Sequence, residues 1–144
     1  LGPPSTTYLD SLLAVGDAAG QVKPVSGGGV YPGLVCAKIA GYVAAACSLE
    51  GDCSAARLSE YDRRWRALLG REIEVGMRVN LILARMSDAD LDSVVGYLGG
   101  RQQILRTIEE HGDLDHPSRL LPRLLSQMDP GALGLARLLR HLLS

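Results

Sequence analysis

Phenylalanine is absent from this chain, and one Trp with five Tyr holds the aromatic share at 4%. The 47% of hydrophobic residues is enough for a core, but leucine, valine and alanine must fill it. Charge of one sign is lacking too. A net charge of −1, with no basic patch interleaved with aromatics, gives no footing for nucleic acid. Read along the sequence, no apolar run reaches the length of a membrane span, and no signal peptide opens the chain. The expectation is a cytoplasmic protein, at most peripheral to a membrane. The three His (His111, His116, His141) show no ligand spacing with the three Cys, so no metal site is expected.

What is present is concentrated between Leu12 and Val30, LLAVGDAAGQVKPVSGGGV. Leu12 to Val15 is a short apolar run ending at Gly16-Asp17, and a run so bounded reads as a buried strand. Pro24 follows seven residues beyond Asp17, then come Gly27, Gly28 and Gly29. Small residues at helical spacing occupy Leu34 to Cys47. The order is strand, carboxylate, glycine-rich turn, helix. It sets bare backbone N–H groups and a positive helix end beside one fixed acid. An acid at a strand end can accept hydrogen bonds from sugar or ribityl hydroxyls. Glycines let the backbone approach a flat ring or a phosphate, because no Cβ intervenes. A plainer alternative makes Gly16-Asp17 the close of a strand and the glycines an ordinary loop. The joint spacing of Asp17, Pro24 and Gly27-x-Gly29 favours a nucleotide cofactor.

Gly16-Asp17-Ala18-Ala19-Gly20, then Pro24, then Gly27-Gly28-Gly29-Val30, resembles the second flavin motif of the geranylgeranyl reductase family. These are FAD-dependent oxidoreductases of the p-hydroxybenzoate hydroxylase type. The likeness continues through Tyr31 to Gly41 and into Tyr61-Asp62-Arg63-Arg64-Trp65, and fades beyond residue 90. It implies a cofactor site of Gly16, Asp17, Ala18, Pro24, Gly27, Gly28, Gly29 and Val30. There Asp17 would bind the ribityl chain, and the Pro24 to Gly29 stretch would lie against the isoalloxazine ring. The helix end after Gly29 would suit the negative charge of a reduced flavin at its N1–C2=O edge. The implied cofactor is FAD, the substrate a polyprenyl lipid, and the chemistry saturation of isoprenoid double bonds.

The family begins with a βαβ unit carrying G-x-G-x-x-G for the FAD pyrophosphate. Nothing here matches it, since Gly27-Gly28-Gly29 lacks the spacing and comes too late. The expectation is therefore a mostly α fragment with one or two short strands. It would be the C-terminal portion of an α/β, Rossmann-like FAD-dependent oxidoreductase whose N-terminal FAD-binding portion lies outside this chain, and inactive alone. Residues 1–50 would be the last segment of the FAD-binding domain and 51–144 a C-terminal helical region.

The remaining chain reads as helices. Small residues (Ala37, Ala40, Gly41, Ala44, Ala45) and a single full charge, Lys38, predict a mostly buried helix over 34–47. Ser54 caps a long helix to about Met86, with a buried stripe of Leu58, Tyr61, Trp65, Leu68, Leu69, Ile73, Gly76, Met77, Val79 and Leu83. Trp65 is core or part of an isoprenoid pocket, with core the better reading. The arginines 57, 63, 64, 66 and 71 with Glu60, Asp62, Glu72 and Glu74 read as a solvated face. Ser87 and Asp90 suggest a capping box, Gly99-Gly100 a stop, and Pro117 and Asp129-Pro130 two further helix starts. The leucine-rich segment from Pro117 to Ser144 carries four Arg against Asp129. It closes a core, forms an oligomer interface, or lies on an anionic bilayer. The cysteines read as small buried hydrophobes, with a Cys47–Cys53 disulfide the alternative. Two other functions stay open: an electron-transfer flavoprotein acting on a quinone, and a non-catalytic helical module that binds a partner or a membrane surface.

Overall fold

The computed structural model describes residues 2–113 and 116–127. They are mostly helical and fall into two compact units that divide between Glu74 and Val75, within one helix. The first unit opens with a hairpin, β1 (Tyr8–Leu9) and β2 (Leu12–Leu13), pairing Tyr8 with Leu13 and Leu9 with Leu12. A 3-10 turn (Gly16–Ala19) follows, then α1 (Val30–Glu50) and α2 (Ala55–Trp65). A π-helical stretch (Arg66–Gly70) joins α2 to α3 (Arg71–Leu83).

The expected buried strand over Leu12 to Val15 is corrected here. Only Leu12–Leu13 is strand, and Leu12 is exposed. Its sole partner among the described residues is β1, so no neighbouring strand covers it.

Helix α1 starts four residues before the expected Leu34. Pro32 sits in its first turn, where a missing N–H removes no intrahelical bond. Its buried line is Pro32, Cys36, Ala40, Val43 and Cys47, packed against α2 and the 3-10 turn. Ala37, Gly41, Ala44 and Ala45 are exposed, so the expectation of a mostly buried helix fails within this chain. The added turns also make this 21-residue helix long and apolar enough, by length and composition, to cross a membrane. The linear reading missed that because it took the helix as 34–47.

Ser54 caps α2 by accepting the Arg57 N–H, and Leu58, Tyr61 and Trp65 are buried as expected. Leu68 and Leu83 are exposed instead, whereas Leu69, Ile73 and Val75 are buried. The π-helical stretch takes more residues per turn, so the apolar line is not carried on at 3.6 spacing. Asp62 also departs from the solvated face. It accepts from Thr7 N (3.2 Å), Thr7 Oγ1 (2.7 Å) and Arg66 Nε (2.6 Å), fastening the hairpin to α2. Trp65 Nε1 donates to the same Thr7 hydroxyl at 3.0 Å, which makes this indole core. Arg57 pairs with Glu50 and Glu60, and Arg64 with Glu60. All three cysteines are free thiols, and burial pushes the Cys36 pKa up to about 11.

In the second unit, the Ser87–Asp90 capping box opens α4 (Asp88–Gly99). Helices α5 (Gln102–His111) and α6 (Pro117–Ser126) follow, and Thr107 and Gln127 bond each other's side chains. Val75 and Leu121 form a small core with Val79 and Ile82. The expected helix after Asp129-Pro130, with the leucines beyond it, lies outside the described residues.

Candidate functional site

The strand-to-helix connection begins where β2 ends. Gly16 takes φ +72°, a left-handed value that favours glycine, and opens the 3-10 turn carrying Asp17 and Ala18. Asp17 therefore lies on a turn beyond the strand, not at the strand end itself. Ala19 is fully buried and anchors the turn. Gly20 ends it at φ +64°, and a Cβ there would stand 2.6 Å from Pro3 Cα, so no other residue fits.

The glycines split into three environments. Lys23 N–H donates to Gly28 O (3.1 Å) and Gly27 N–H to Lys23 O (2.9 Å), which closes a loop around half-buried Pro24. Gly27, at φ +72°, has open space where a Cβ would stand, and Gly28 meets only Ser26 Oγ and the Lys23 stem, at 3.5 Å or more. Gly29 differs. A Cβ on it would overlap Asp17 Oδ1, so the carboxylate lies against the residue just ahead of α1.

Two of the residues singled out in the sequence are thus brought together, Asp17 and Gly29. Val30 is exposed as the first residue of α1, and Ala18 is exposed on the turn. Gly33, not singled out, passes Gly16, its notional Cβ lying 3.8 Å from Gly16 Cα. No donor among the described residues hydrogen-bonds the Asp17 carboxylate, and Gly29 offers no side-chain cap to α1. A free acceptor therefore sits at a helix end whose first N–H groups, on Val30 and Tyr31, have no intrahelical partner. Acid, open glycine backbone and helix end together fit a ligand that carries hydroxyls and a flat or anionic group.

Behind the turn stand two residues that the sequence reading did not place at the site. Gln21 and Tyr61 are both fully buried. Gln21 Oε1 accepts Gly16 N–H at 2.8 Å, its Nε2 donates to Tyr61 Oη at 2.7 Å, and Tyr61 Oη donates to Ala14 O at 2.9 Å. Burial pushes the Tyr61 pKa up to about 12, so it remains a donor across the ordinary pH range. A lone Gln in a loop carries no periodic signal, and Tyr61 reads simply as one more stripe residue.

No family model matches the chain, and no solved structure matches it. Curated proteins do. Digeranylgeranylglycerophospholipid reductase 2 of Methanothermobacter thermautotrophicus is 39% identical over 126 residues, covering 83% of this chain and 31% of the relative. Digeranylgeranylglycerophospholipid reductase 1 of the same organism is 47% identical over 93 residues, 65% of this chain and 23% of the relative. The digeranylgeranylglycerophospholipid reductase of Methanocaldococcus jannaschii is 43% identical over 98 residues, 68% and 25% respectively. The chain spans about a third or less of the length of these relatives.

Proposed function

We propose, for a chain that belongs to the geranylgeranyl reductase family over the stretch it shares with those relatives, that residues 14–33 hold part of an FAD. The longer protein would be a flavin-dependent reductase of isoprenoid C=C bonds in a polyprenyl lipid, with this chain as its C-terminal part. The observation that carries the reading is the Asp17 carboxylate, without a hydrogen-bond donor among the described residues, set against Gly29 at the start of α1.

In that role Asp17 accepts hydrogen bonds from ribityl hydroxyls. The Val30 and Tyr31 N–H groups favour negative charge at the helix end. The Pro24 to Gly29 loop leaves room for a flat ring at Gly27 and Gly28. FAD, when bound, supplies hydride to one alkene carbon. None of the described residues is assigned as the proton donor. The relatives' names favour a lipid substrate over a quinone. Cytoplasmic residence with peripheral membrane contact belongs to the same reading.

Asp17→Ala in the full-length protein tests it. A hydrogen bond to a charged group contributes about 1.5–3 kcal/mol, so FAD occupancy at limiting cofactor should fall at least about tenfold, with helical content intact. A variant that purifies fully yellow and active removes Asp17 from the site.

A further inference from the structure

Gln21 closes a ring around the acid's turn. Its side chain accepts the N–H of Gly16, and its own N–H donates to the C=O of Gly16 at 3.0 Å. Both backbone polar groups of Gly16, the residue ahead of Asp17, are thereby committed to one residue. The directions of the relay are forced. Gly16 N–H can only donate, so the amide oxygen must face it, and the NH2 then faces the phenol. Tyr61 accepts there and donates onward to Ala14 O. The relay ties the one polypeptide segment that carries the acid, residues 14–21, to the rigid helix α2.

On the far end of α2, a different set of bonds does a different job. Trp65 and Asp62 hold Thr7, the residue just before β1, and none of those side-chain bonds ends on residues 14–21. Thr7 meets that segment only through its backbone, its C=O accepting Ala14 N–H at 2.8 Å, a bond that a change of side chain keeps, so the two sets of side-chain bonds offer a matched pair of perturbations.

We propose that Gln21 and Tyr61 are positioning residues for Asp17, fixing the turn that presents its carboxylate and so setting how tightly flavin is held. This rests on the flavin reading above. The pair does not touch the cofactor. It acts through the peptide of Gly16 and the carbonyl of Ala14.

The test compares three variants of the full-length protein by FAD titration, visible circular dichroism of bound flavin, and thermal melting. Tyr61→Phe removes the acceptor for Gln21 and the donor for Ala14 while keeping the ring. It should raise the Kd for FAD about tenfold and alter the flavin circular dichroism. Gln21→Met should do the same, and serves in its place if Tyr61→Phe fails to fold. Thr7→Val should lower the melting temperature yet leave Kd within about twofold and the spectrum unchanged. In an Asp17→Ala background, Tyr61→Phe should add nothing. If Tyr61→Phe and Gln21→Met bind FAD as wild type does while Asp17→Ala does not, the positioning role is overturned and the flavin reading stands. It is overturned equally if Thr7→Val weakens FAD as much as they do, or if neither positioning variant folds. A wild-type protein that takes up no FAD brings down both.

Discussion

Gly29 has an ordinary backbone, φ −99°, so its lack of a side chain is a matter of space and not of conformation. The occupant of that space is the Asp17 carboxylate. A carboxylate can swing aside, so Gly29→Ala should cost the fold about 1 kcal/mol or less, as for other changes at a helix start. It should nevertheless push Asp17 out of place and weaken FAD about tenfold. A double-mutant cycle with Asp17→Ala separates the routes: no further loss in the double variant means that Gly29 acts through the acid. Gly28 is the complementary probe. The chain itself leaves room for a Cβ there, so Gly28→Ala should melt like wild type while weakening flavin wherever the ring meets this turn. The sequence made the spacing of Asp17 and Gly29 legible, because Gly, Asp and Pro are the residues that punctuate turns. It could not show that the two touch. Still less could it show Gln21 and Tyr61, whose roles depend on a helix forty residues on in the chain.

At the level of elements, helix starts were legible wherever a cap carried them: Ser54, the Ser87–Asp90 box, and Pro117. Helix α1 was misplaced because Pro32 and Gly33 look like breakers, and a first turn tolerates both. The π-helical stretch was not legible, since nothing in Arg66-Ala67-Leu68-Leu69-Gly70 announces an extra residue per turn. The hairpin's attachment to α2 carries a pH signature. Burial of Asp62 raises its pKa, but the bonds from Arg66 and Thr7 outweigh that and hold the carboxyl below its usual 3.8. A carboxyl lowered in the folded state contributes stability fully above its unfolded pKa, and that contribution is lost as pH falls through the folded value. The melting temperature should therefore drop more steeply below pH 3.8 in the wild type than in Asp62→Asn. Parallel slopes would mean that the Arg66–Asp62 pair adds no pH-dependent stability.

For the chain as a whole, the mostly helical make-up with two short strands was legible and extent of burial was not. Alanine and leucine in α1 mark a helix that is apolar all round, the pattern of a helix covered on every side. Here one line is covered, and Val30, Leu34, Tyr42 and Leu49 are exposed at 78%, 66%, 68% and 90%. Exposed apolar area of this kind drives association. The chain expressed by itself should self-associate at micromolar concentration, and a Leu34→Glu, Tyr42→Glu pair should return it to monomer in sedimentation runs. It should also bind FAD weakly, because it offers no G-x-G-x-x-G loop for the pyrophosphate. Submicromolar affinity measured by flavin fluorescence would contradict this.

The placement of the partners of α1 also governs how the chain is born. The residues of α2 that cover its buried line, Leu58, Tyr61 and Trp65, are all encoded after Glu50. A ribosome adding about 5–20 residues each second leaves α1 complete but without α2 for about one to three seconds before Trp65 is made. During that interval it is an apolar helix of spanning length. Ribosome-bound chains stalled when α1 but not α2 has left the exit tunnel should crosslink to whatever factors collect bare apolar helices, and chains long enough to expose all of α2 should not.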